Sequence, residues 1–374
     1  MPLSVAQDGM IITMRQVKVR VNATPMRECT IYIGSGTIEK IGTLYDLKRY
    51  SKIFVVSDKS VKPLLNKLLA ALPPSTTSVI LPVGEKQKSI RTIQKIWTAM
   101  HDAGCDRQSL VINLGGGVVG DMGGFAASTY MRGVEFLNVP TSLLAQVDAS
   151  VGGKTGFNFD GIKNLIGTFD QPIGVLVDLE ALADLPDREF ISGFGEIIKH
   201  GLIWDKDHFM NATSKPPRKF TQKELTDIIT QSIQIKTEIM QGDETEGGIR
   251  KLLNYGHTIG HAVEALSLET NKPLLHGEAV SIGMRAEALI AERQGLLARS
   301  DRKLIERALI KAGLPTTDSA SAVSILGKMQ SDKKNRSGEL NFTLPDGIGR
   351  ALYDQKVPSS LLRDVLKALS KKSS

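Results

Sequence analysis

The chain has 374 residues, 41% of them hydrophobic and 23% charged, which is typical of globular proteins and long enough for two domains. It shows neither an apolar run long enough to span a membrane nor a secretory signal, so we expect a cytoplasmic protein. The formal net charge of +7 is dispersed and accompanies no nucleic-acid-binding motif, so we expect an acidic small-molecule substrate rather than nucleic acid.

The first half of the chain alternates short β-branched runs with helical patterns. The apolar runs are nearly continuous, which is typical of strands buried on both faces of a parallel sheet. The pattern predicts strands at 52–56, 78–83, 109–114, 134–139 and 174–178, with helices at about 60–72 and 88–103. We therefore expect an α/β Rossmann-like domain that binds its ligand at the carboxyl ends of the strands.

Helical periodicity dominates the second half, from the Leu-Pro-Asp at 185–187 onward. Helices are predicted at about 188–203, 221–241, 249–267, 277–294, 300–313 and 358–370, and a small hairpin at 339–343 and 350–353. This change of pattern predicts an α/β domain at 1–186 and a mostly α-helical domain at 187–374, with a cleft between them.

A glycine run follows the third predicted strand and precedes a helical segment. It reads G-G-G-V-V-G-D (115–121), and such glycines let backbone amides approach a pyrophosphate. The spacing is not G-x-G-x-x-G, so a tight strand-to-helix turn is an equally open interpretation. Asp58, at the end of a strand, could bind a ribose diol, and the segment 84–88 could add nucleotide contacts. Each of these charges could instead be a solvated loop residue.

Three of the six histidines fall within twenty residues and suggest a metal site. Cys29 and Cys105 lie in unrelated contexts, which excludes a cysteine-based site. His257 and His261 are spaced i, i+4, like the histidines of a zincin helix, but Thr258 stands where the zincin glutamate would be. His276 and Glu196 are further candidate ligands. Each of these residues also has a simpler interpretation. His257 and His261 could be helix histidines with ordinary hydrogen-bond partners, His276 could be a helix cap, and Glu196 could be a surface charge.

Eight lysines and arginines are candidates for binding an anionic substrate, and four of them stand directly beside glycine or asparagine. Positive charges gathered near a metal suit a substrate that carries phosphate and carboxylate, although any one of them could be a solvated surface charge. The candidates are Arg132, Lys154, Lys163, Lys199, Lys236, Arg250, Lys333 and Lys334.

Six motifs, in order along the chain, resemble the 3-dehydroquinate synthase family. The glycine run is the first, and Y-M-R-G-V (130–134) and V-P-T-S-L-L-A-Q-V-D-A-S-V-G-G-K-T-G (139–156) follow it. The others are K-N-L-I-G (163–167), G-E-I-I-K-H-G (195–201) and L-N-Y-G-H-T-I-G-H (253–261). The likeness runs from about residue 50 to residue 350, and the combination is highly specific.

The resemblance implies an NAD-dependent lyase of the shikimate pathway that contains one divalent metal, zinc or cobalt. Its substrate would be a phosphorylated sugar acid, 3-deoxy-D-arabino-heptulosonate 7-phosphate, and its products 3-dehydroquinate and phosphate. The implied sequence is transient oxidation of an alcohol, phosphate elimination, re-reduction, ring opening and intramolecular aldol closure. The family likeness also implies that the domain at 1–186 binds NAD and that the domain at 187–374 binds metal and substrate, with the active site in the cleft between them. It further implies a homodimer.

The resemblance also implies a role for each matching position. The implied metal ligands are Glu196, His257 and His276, whereas His261 would contact the phosphate. Other implied substrate and catalytic residues are Arg132 (reaching in from a partner subunit), Asp148, Lys154, Asn164, Lys199, Lys236, Arg250 and Asn254, with Lys333 or Lys334 closing the site. The implied NAD contacts are Asp58, Glu85, Lys88, Gly116, Gly117, Asp121, Thr141, Ser142, Lys154 and Lys163.

Three other functions compete with this interpretation. Sugar-phosphate cyclases that make valiolone or inosose skeletons are expected to differ at Arg250, Asn254 and His261, and this chain keeps all three. A metal-dependent glycerol-type dehydrogenase would share the two-domain fold but would need no lysines for a leaving phosphate. A catalytically inactive NAD-binding or scaffolding protein would not need the complete ligand set.

Overall fold

The computed structural model describes residues 3–5, 12–21, 27–243, 247–331 and 340–369. The chain divides into two compact units, Met1–Pro186 and Asp187–Ser374. Among the described helices, none is both long enough and apolar enough to cross a membrane. The cytoplasmic location stays a prediction.

A single large sheet forms the centre of the N-terminal unit. Six neighbouring strands, β3, β10, β7, β6, β4 and β5, are parallel in this order, and β2 and β1 extend the sheet antiparallel beside β3. The strands are β1 (Leu3–Val5), β2 (Ile12–Val21), β3 (Arg27–Gly34), β4 (Ile53–Asp58), β5 (Thr77–Leu81), β6 (Leu110–Gly115), β7 (Glu135–Pro140) and β10 (Gly174–Asp178). A separate antiparallel hairpin consists of β8 (Lys154–Phe159) and β9 (Ile162–Phe169).

Helices cover both faces of this sheet, because the parallel strands are apolar on both sides. The helices of the unit are α1 (Ile41–Leu44), α2 (Lys62–Ala70), α3 (Ile90–Asp102) and α4 (Gly117–Thr129). Val56 of β4 packs in one core cluster with Met122 of α4, whereas its neighbour Val55 packs in a second cluster with Leu68 of α2. Successive strand residues point to opposite faces, so each face has its own core. The predicted parallel sheet covered on both faces is confirmed.

The C-terminal unit is mostly helical, as predicted. Its helices are α5 (Asp187–Trp204), α6 (Lys206–Ala212), α7 (Gln222–Gln241), α8 (His257–Ser267), α9 (His276–Arg293), α10 (Arg299–Lys311), α11 (Ala322–Ser331) and α12 (Ser359–Leu369). The predicted hairpin is present as β11 (Asn341–Gly347) and β12 (Arg350–Lys356). The fold class is therefore confirmed: a parallel-sheet α/β unit followed by a helical unit.

The predicted helix at 249–267 is wrong in one respect that concerns the histidines. The segment is a short 3-10 helix, Ile249–Asn254, followed by α8, which begins only at His257. The break lies at Gly256, whose φ of 80° is left-handed and therefore favours glycine. His257 consequently occupies the first position of a helix rather than its middle.

Candidate functional site

The glycine run forms the turn between β6 and α4. Gly115 ends β6, and its carbonyl accepts a hydrogen bond of 3.0 Å from the backbone N–H of Thr141, which follows the neighbouring strand β7. A Cβ on Gly116 would lie 3.6 Å from the hydroxyl of Ser142, and α4 begins at the next residue, Gly117. The first N–H groups of a helix have no acceptor within the helix, so this turn suits a phosphate group.

Asp58 lies at the same edge of the sheet, because β4 and β6 are parallel and Ser57 pairs with Leu114. Its carboxylate accepts a hydrogen bond of 2.8 Å from the backbone N–H of Ser60, which fixes it at the end of the strand. Glu85 follows β5 at this edge and accepts a hydrogen bond of 2.7 Å from the side-chain amide of Asn158 on β8. Both carboxylates are half-buried, which leaves part of each accessible to a ligand.

Lys88 is the most buried of the predicted nucleotide-binding cations, with 4% of its side chain exposed. Its ammonium group donates hydrogen bonds to Asp121 on α4 and to the side-chain carbonyl of Asn164 on β9. Burial raises the pKa of Asp121, and the adjacent ammonium group opposes that rise. The three predicted residues thus form one polar group around the buried Lys88, and it links the β8–β9 hairpin to α4.

Asp148 lies on a single π-helical turn, Ala145–Ala149, just after β7. Such turns are rare and often occur at functional sites. The fully buried side chain of Gln146 fixes the turn, since its amide donates hydrogen bonds to the carbonyls of Pro140 at 3.3 Å and Asp178 at 2.9 Å. The role of Gln146 cannot be recognised from the sequence, because it depends on two strand ends that are distant along the chain.

Three predicted cations of the N-terminal unit are exposed. Lys154 begins β8 and Lys163 lies on β9. Arg132 lies in a short turn after α4 with a φ of 71°, next to Met131 with a φ of 50°. Two successive non-glycine residues in this region are uncommon, which marks a locally strained turn that projects the Arg132 side chain outward.

In the C-terminal unit, three helices bring Glu196, His257 and His276 together. Glu196 of α5 is fully buried, and its Oε1 atom lies 3.7 Å from Nε2 of His257 and 3.5 Å from Nε2 of His276. The two histidines are the first residues of α8 and α9. One ligand atom from each residue lies within 4.8 Å of the others, which is close enough for one metal ion to contact all three.

Glycines allow these helices to approach closely. A Cβ on Gly277, next to His276, would lie 1.8 Å from the carbonyl oxygen of Ser192 on α5. Likewise, a Cβ on Gly283 of α9 would lie 1.9 Å from the carbonyl oxygen of Gly256, which precedes α8. Backbone therefore packs directly against backbone beside each histidine, and this packing sets the spacing of the three side chains.

The charges around Glu196 favour a carboxylate that is ionised despite its burial. Burial alone would raise its pKa, but the ammonium group of Lys199, which forms an ion pair with it, and the nearby imidazoles hold the pKa well below its usual range. Burial and Lys199 together lower the pKa of His257, so this imidazole is neutral. Burial opposes the protonation of His276, yet its two carboxylate neighbours raise its pKa to about 10, so a metal ion would replace a proton there.

Glu264 is a neighbour of the histidines that the sequence analysis missed. Its carboxylate lies 3.4 Å from Nδ1 of His276, on the side of the ring opposite Glu196. Metal-binding histidines commonly donate their second ring N–H to such a carboxylate. The signal was available, because Glu264 follows His261 by three residues and His257 by seven, which places all three on one face of α8.

His261 also lies beside this group, with its ring centre 5.0 Å from that of His257 and 6.0 Å from that of His276. A ligand atom of His261 lies within 4.8 Å of ligand atoms of Glu264 and His276, whereas the group that joins Glu196 to His276 includes His257 and not His261. The structure thus brings together five of the predicted residues of the C-terminal unit: Glu196, Lys199, His257, His261 and His276.

Among the described residues of this unit, the other predicted ones lie on α7 and on the 3-10 helix Ile249–Asn254, both of which contact α5. The ammonium group of Lys199 donates a hydrogen bond of 2.8 Å to the carbonyl of Leu253, which ties α5 to the 3-10 helix Ile249–Asn254. That helix contains Arg250, which is buried, and Asn254, which is exposed, while Lys236 is buried on α7. Lys333 and Lys334 lie outside the described residues.

Comparison with known proteins places this site in a family. Two family models match the chain. The model described as "3-dehydroquinate synthase N-terminal" matches residues 78–192, and the model described as "3-dehydroquinate synthase C-terminal" matches residues 193–335. A curated relative, the 3-dehydroquinate synthase of Synechococcus sp., is 42% identical over 361 residues, covering 93% of this chain and 98% of the relative.

Two solved structures of sugar-phosphate cyclases resemble the chain in fold. A 2-deoxy-scyllo-inosose synthase complexed with carbaglucose-6-phosphate, NAD+ and Co2+ is 25% identical with a TM-score of 0.85, covering 95% of this chain and 99% of that chain. The 2-epi-5-epi-valiolone synthase of Streptomyces hygroscopicus, with NAD+ and Zn2+ bound, is 27% identical with a TM-score of 0.82. The match covers 94% of this chain and 99% of that chain.

Sequence identity distinguishes the 3-dehydroquinate synthases from the other sugar-phosphate cyclases more clearly than the shared fold does. The two cyclase structures share about a quarter of their residues with this chain, whereas the synthase of Synechococcus sp. shares 42% over nearly its whole length. The family descriptions match the chain continuously from residue 78 to residue 335, through both units. The resemblance seen in the motifs is therefore confirmed, and the chain belongs to the 3-dehydroquinate synthase family.

Proposed function

We propose that this protein is a carbon–oxygen lyase that converts 3-deoxy-D-arabino-heptulosonate 7-phosphate to 3-dehydroquinate and phosphate. The observation that carries the proposal is the buried Glu196 carboxylate, which faces two imidazoles and Lys199 in a chain 42% identical to a 3-dehydroquinate synthase. Arg250, Asn254 and His261 favour this substrate over sugar phosphates that lack a carboxylate.

The proposed metal ligands are Glu196, His257 and His276, and the proposed ion is zinc or cobalt. One carboxylate and two imidazoles are a donor set that suits either ion and leaves coordination positions open for substrate. Relatives of this fold carry Co2+ or Zn2+. When bound, the ion would act as a Lewis acid that lowers the pKa of the alcohol to be oxidised. Lys199 would balance the charge of Glu196 and hold a substrate oxygen close by.

The proposed cofactor is NAD, which both structural relatives contain and which would accept and later return a hydride. The glycine turn at Gly116 and Gly117 offers backbone N–H groups for the pyrophosphate, and Asp58 offers a carboxylate for a ribose. The other proposed NAD contacts are Glu85, Lys88, Asp121, Thr141, Ser142, Lys154 and Lys163, and Asp148 is proposed to lie beside the nicotinamide.

The proposed substrate contacts divide by the group that they bind. Lys154, Asn164, Asn254 and His261, with Arg132 of the partner subunit, would bind the phosphate. Lys236 and Arg250 would bind the carboxylate and hydroxyl groups. The burial of Lys236 and Arg250 would strengthen their attraction to the substrate, because few waters screen the charges.

Phosphate release from the heptulosonate phosphate is expected to require added NAD and to stop when a chelator removes the metal. Because NAD is regenerated in each cycle, no net NADH should build up. The assay is a phosphate determination with absorbance at the NADH band recorded in parallel, and zinc added back after chelation is the control. Steady NADH accumulation with an alcohol would show a dehydrogenase instead. Turnover of a sugar phosphate without a carboxylate would show one of the other cyclases.

We also propose a homodimer in which Arg132 serves the active site of the partner subunit. The β8–β9 hairpin supports it with exposed apolar side chains, among them Phe169, 73% exposed, and Leu165, 51% exposed. Met131, next to Arg132, is 47% exposed. A surface that exposes several large apolar side chains is typical of one that binds another protein.

Mixing two inactive variants tests the dimer. Arg132→Ala and His257→Ala should each abolish turnover, but dimers that contain one chain of each keep one complete active site. Random reassociation makes half of the dimers mixed, so about a quarter of the wild-type activity should return. Mixing either variant with itself is the control. An activity that stays absent, in a mixture shown by mass spectrometry to contain mixed dimers, would contradict the assignment of Arg132 to the partner site.

A further inference from the structure

Two hydrogen bonds fasten the segment before α8 to helix α9. The fully buried Tyr255 donates its hydroxyl proton to the carbonyl of Met284 at 2.9 Å. One residue later, the backbone N–H of Gly256 donates to the carboxylate of Glu287 at 2.5 Å. Glu287 is fully buried, and its other oxygen accepts a longer bond, 3.4 Å, from the backbone N–H of Ile259.

Glu287 thus caps the N-terminus of α8 from another helix. The preceding residue, Gly256, has no side chain that could accept hydrogen bonds from the first N–H groups of α8. A carboxylate at this position also interacts favourably with the helix dipole. Burial raises the pKa of Glu287 to about 8, although the N–H groups of Gly256, Ile259 and Thr258 stabilise the charged form, so the group accepts both bonds as a carboxylate above about pH 8.

The same segment orients the ring of His257. Nδ1 of His257 lies 3.1 Å from the carbonyl oxygen of Tyr255, so Nδ1–H donates to that oxygen and Nε2 carries the lone pair. Nε2 is the atom that faces Glu196, at 3.7 Å. The position of the Tyr255 carbonyl therefore decides where the lone pair of His257 points, and the bonds to α9 fix that carbonyl.

Helix α9 carries His276 at its first position and Glu287 three turns later. We infer that Glu287 is a positioning residue of the metal site, which holds the start of α8 against α9 so that His257 and His276 keep the spacing one ion requires. The inference rests on the metal-binding part of the proposed function. Tyr255 supports the same segment through its hydroxyl group.

The affinity of the purified protein for zinc tests this role. It is measured above pH 8, where Glu287 is ionised, by competition with a chromogenic chelator without NAD or substrate. Glu287→Gln keeps the size of the side chain but leaves one acceptor in place of two, and we expect it to weaken zinc binding by about 10- to 100-fold. Tyr255→Phe removes only the hydroxyl group, and we expect roughly tenfold weaker binding. A merely structural role would lower the melting temperature of the metal-free protein without changing the zinc affinity.

Ser281→Ala is the matched control. Ser281 is buried on the same helix, but its hydroxyl donates a hydrogen bond of 2.8 Å to the carbonyl of Pro315, away from α8. This variant should lose stability and keep its zinc affinity.

The variant His257→Ala separates the inference from the proposed function. If the wild type binds zinc no better than His257→Ala, the proposed metal site fails. If the wild type binds tightly, His257→Ala does not, and Glu287→Gln equals the wild type, the inference is overturned. Should Glu287→Gln fail to fold, Tyr255→Phe decides by the same measurement, and wild-type affinity in that variant would overturn the inference.

Discussion

Replacing His257 by alanine should empty the metal site, whereas replacing His261, one helical turn later, should leave the metal in place and slow turnover. The reason is geometric: Nε2 of His257 faces the buried Glu196, while His261 lies toward Glu264. Loss of one of three protein ligands from a single-ion site removes most of its affinity. Loss of a group that stabilises charge on the substrate costs about 100-fold in rate.

Metal content per chain after loading with zinc and gel filtration decides this prediction, with phosphate release measured on the same samples. We expect about one zinc per chain in the wild type and in His261→Ala, and almost none in His257→Ala. Equal loss in both variants would refute the ligand assignment. Loss in His261→Ala alone would mean that the ion occupies the second group, His261, Glu264 and His276, whose ligand atoms also lie within 4.8 Å of one another.

The sequence spacing by itself pointed to His257 and His261 as a pair, whereas the structure places His257 and His276 beside Glu196. The i, i+4 relation of His257 and His261 is visible within one helix, whereas the approach of Glu196 and His276 depends on how three helices pack. That packing depends on backbone contacts at Gly256, Gly277 and Gly283, which no periodicity reveals. The motif resemblance implied the set that the structure brings together, and its role as a ligand set stays a prediction.

The fold was predictable in segments whose apolar pattern corresponds to the faces that are buried in the structure. The strands β4, β6 and β7 are apolar on both faces, so their sequences indicate a parallel sheet directly. The β8–β9 hairpin was not predicted, because its apolar residues Phe159, Leu165 and Phe169 are exposed and follow no core pattern. Helix α11 was missed too, since residues 296–330 carry no motif and its apolar stripe is short.

Residues that act on other residues were the hardest to predict. Glu287 is recognisable only once α9 is known to pass the start of α8, 31 positions earlier in the chain. Gln146 likewise bonds to the ends of β7 and β10, which are adjacent only in the folded sheet. Both residues contact groups that are close in the fold but far away along the chain. The spacing of a motif reveals only residues that are close along the chain as well.

Gly277→Ala should damage the metal site without removing any ligand. Its new Cβ would lie 1.8 Å from the carbonyl oxygen of Ser192, and an ordinary contact begins at 3.4 Å, so α9 and α5 must shift by more than 1 Å. The strained atom belongs to the backbone of α5, one helical turn before Glu196, and Gly277 directly follows His276. Metal–ligand distances tolerate errors of only about 0.2 Å. We expect zinc to bind at least tenfold more weakly and the free energy of unfolding to fall by about 1–3 kcal/mol.

Gly327→Ala is the matched control, because it also adds one methyl group within a helix of the C-terminal unit. Within the described residues, a Cβ on Gly327 meets no heavy atom closer than 4 Å. Alanine is a better helix former than glycine, so this variant should gain about 0.5–1 kcal/mol of stability and bind zinc like the wild type. Chemical denaturation of the metal-free proteins and chelator competition measure the two quantities. If Gly277→Ala loses stability but keeps its zinc affinity, α5 and α9 can separate without moving Glu196 away from His276, and the close contact of their backbones is not what sets the spacing of the site.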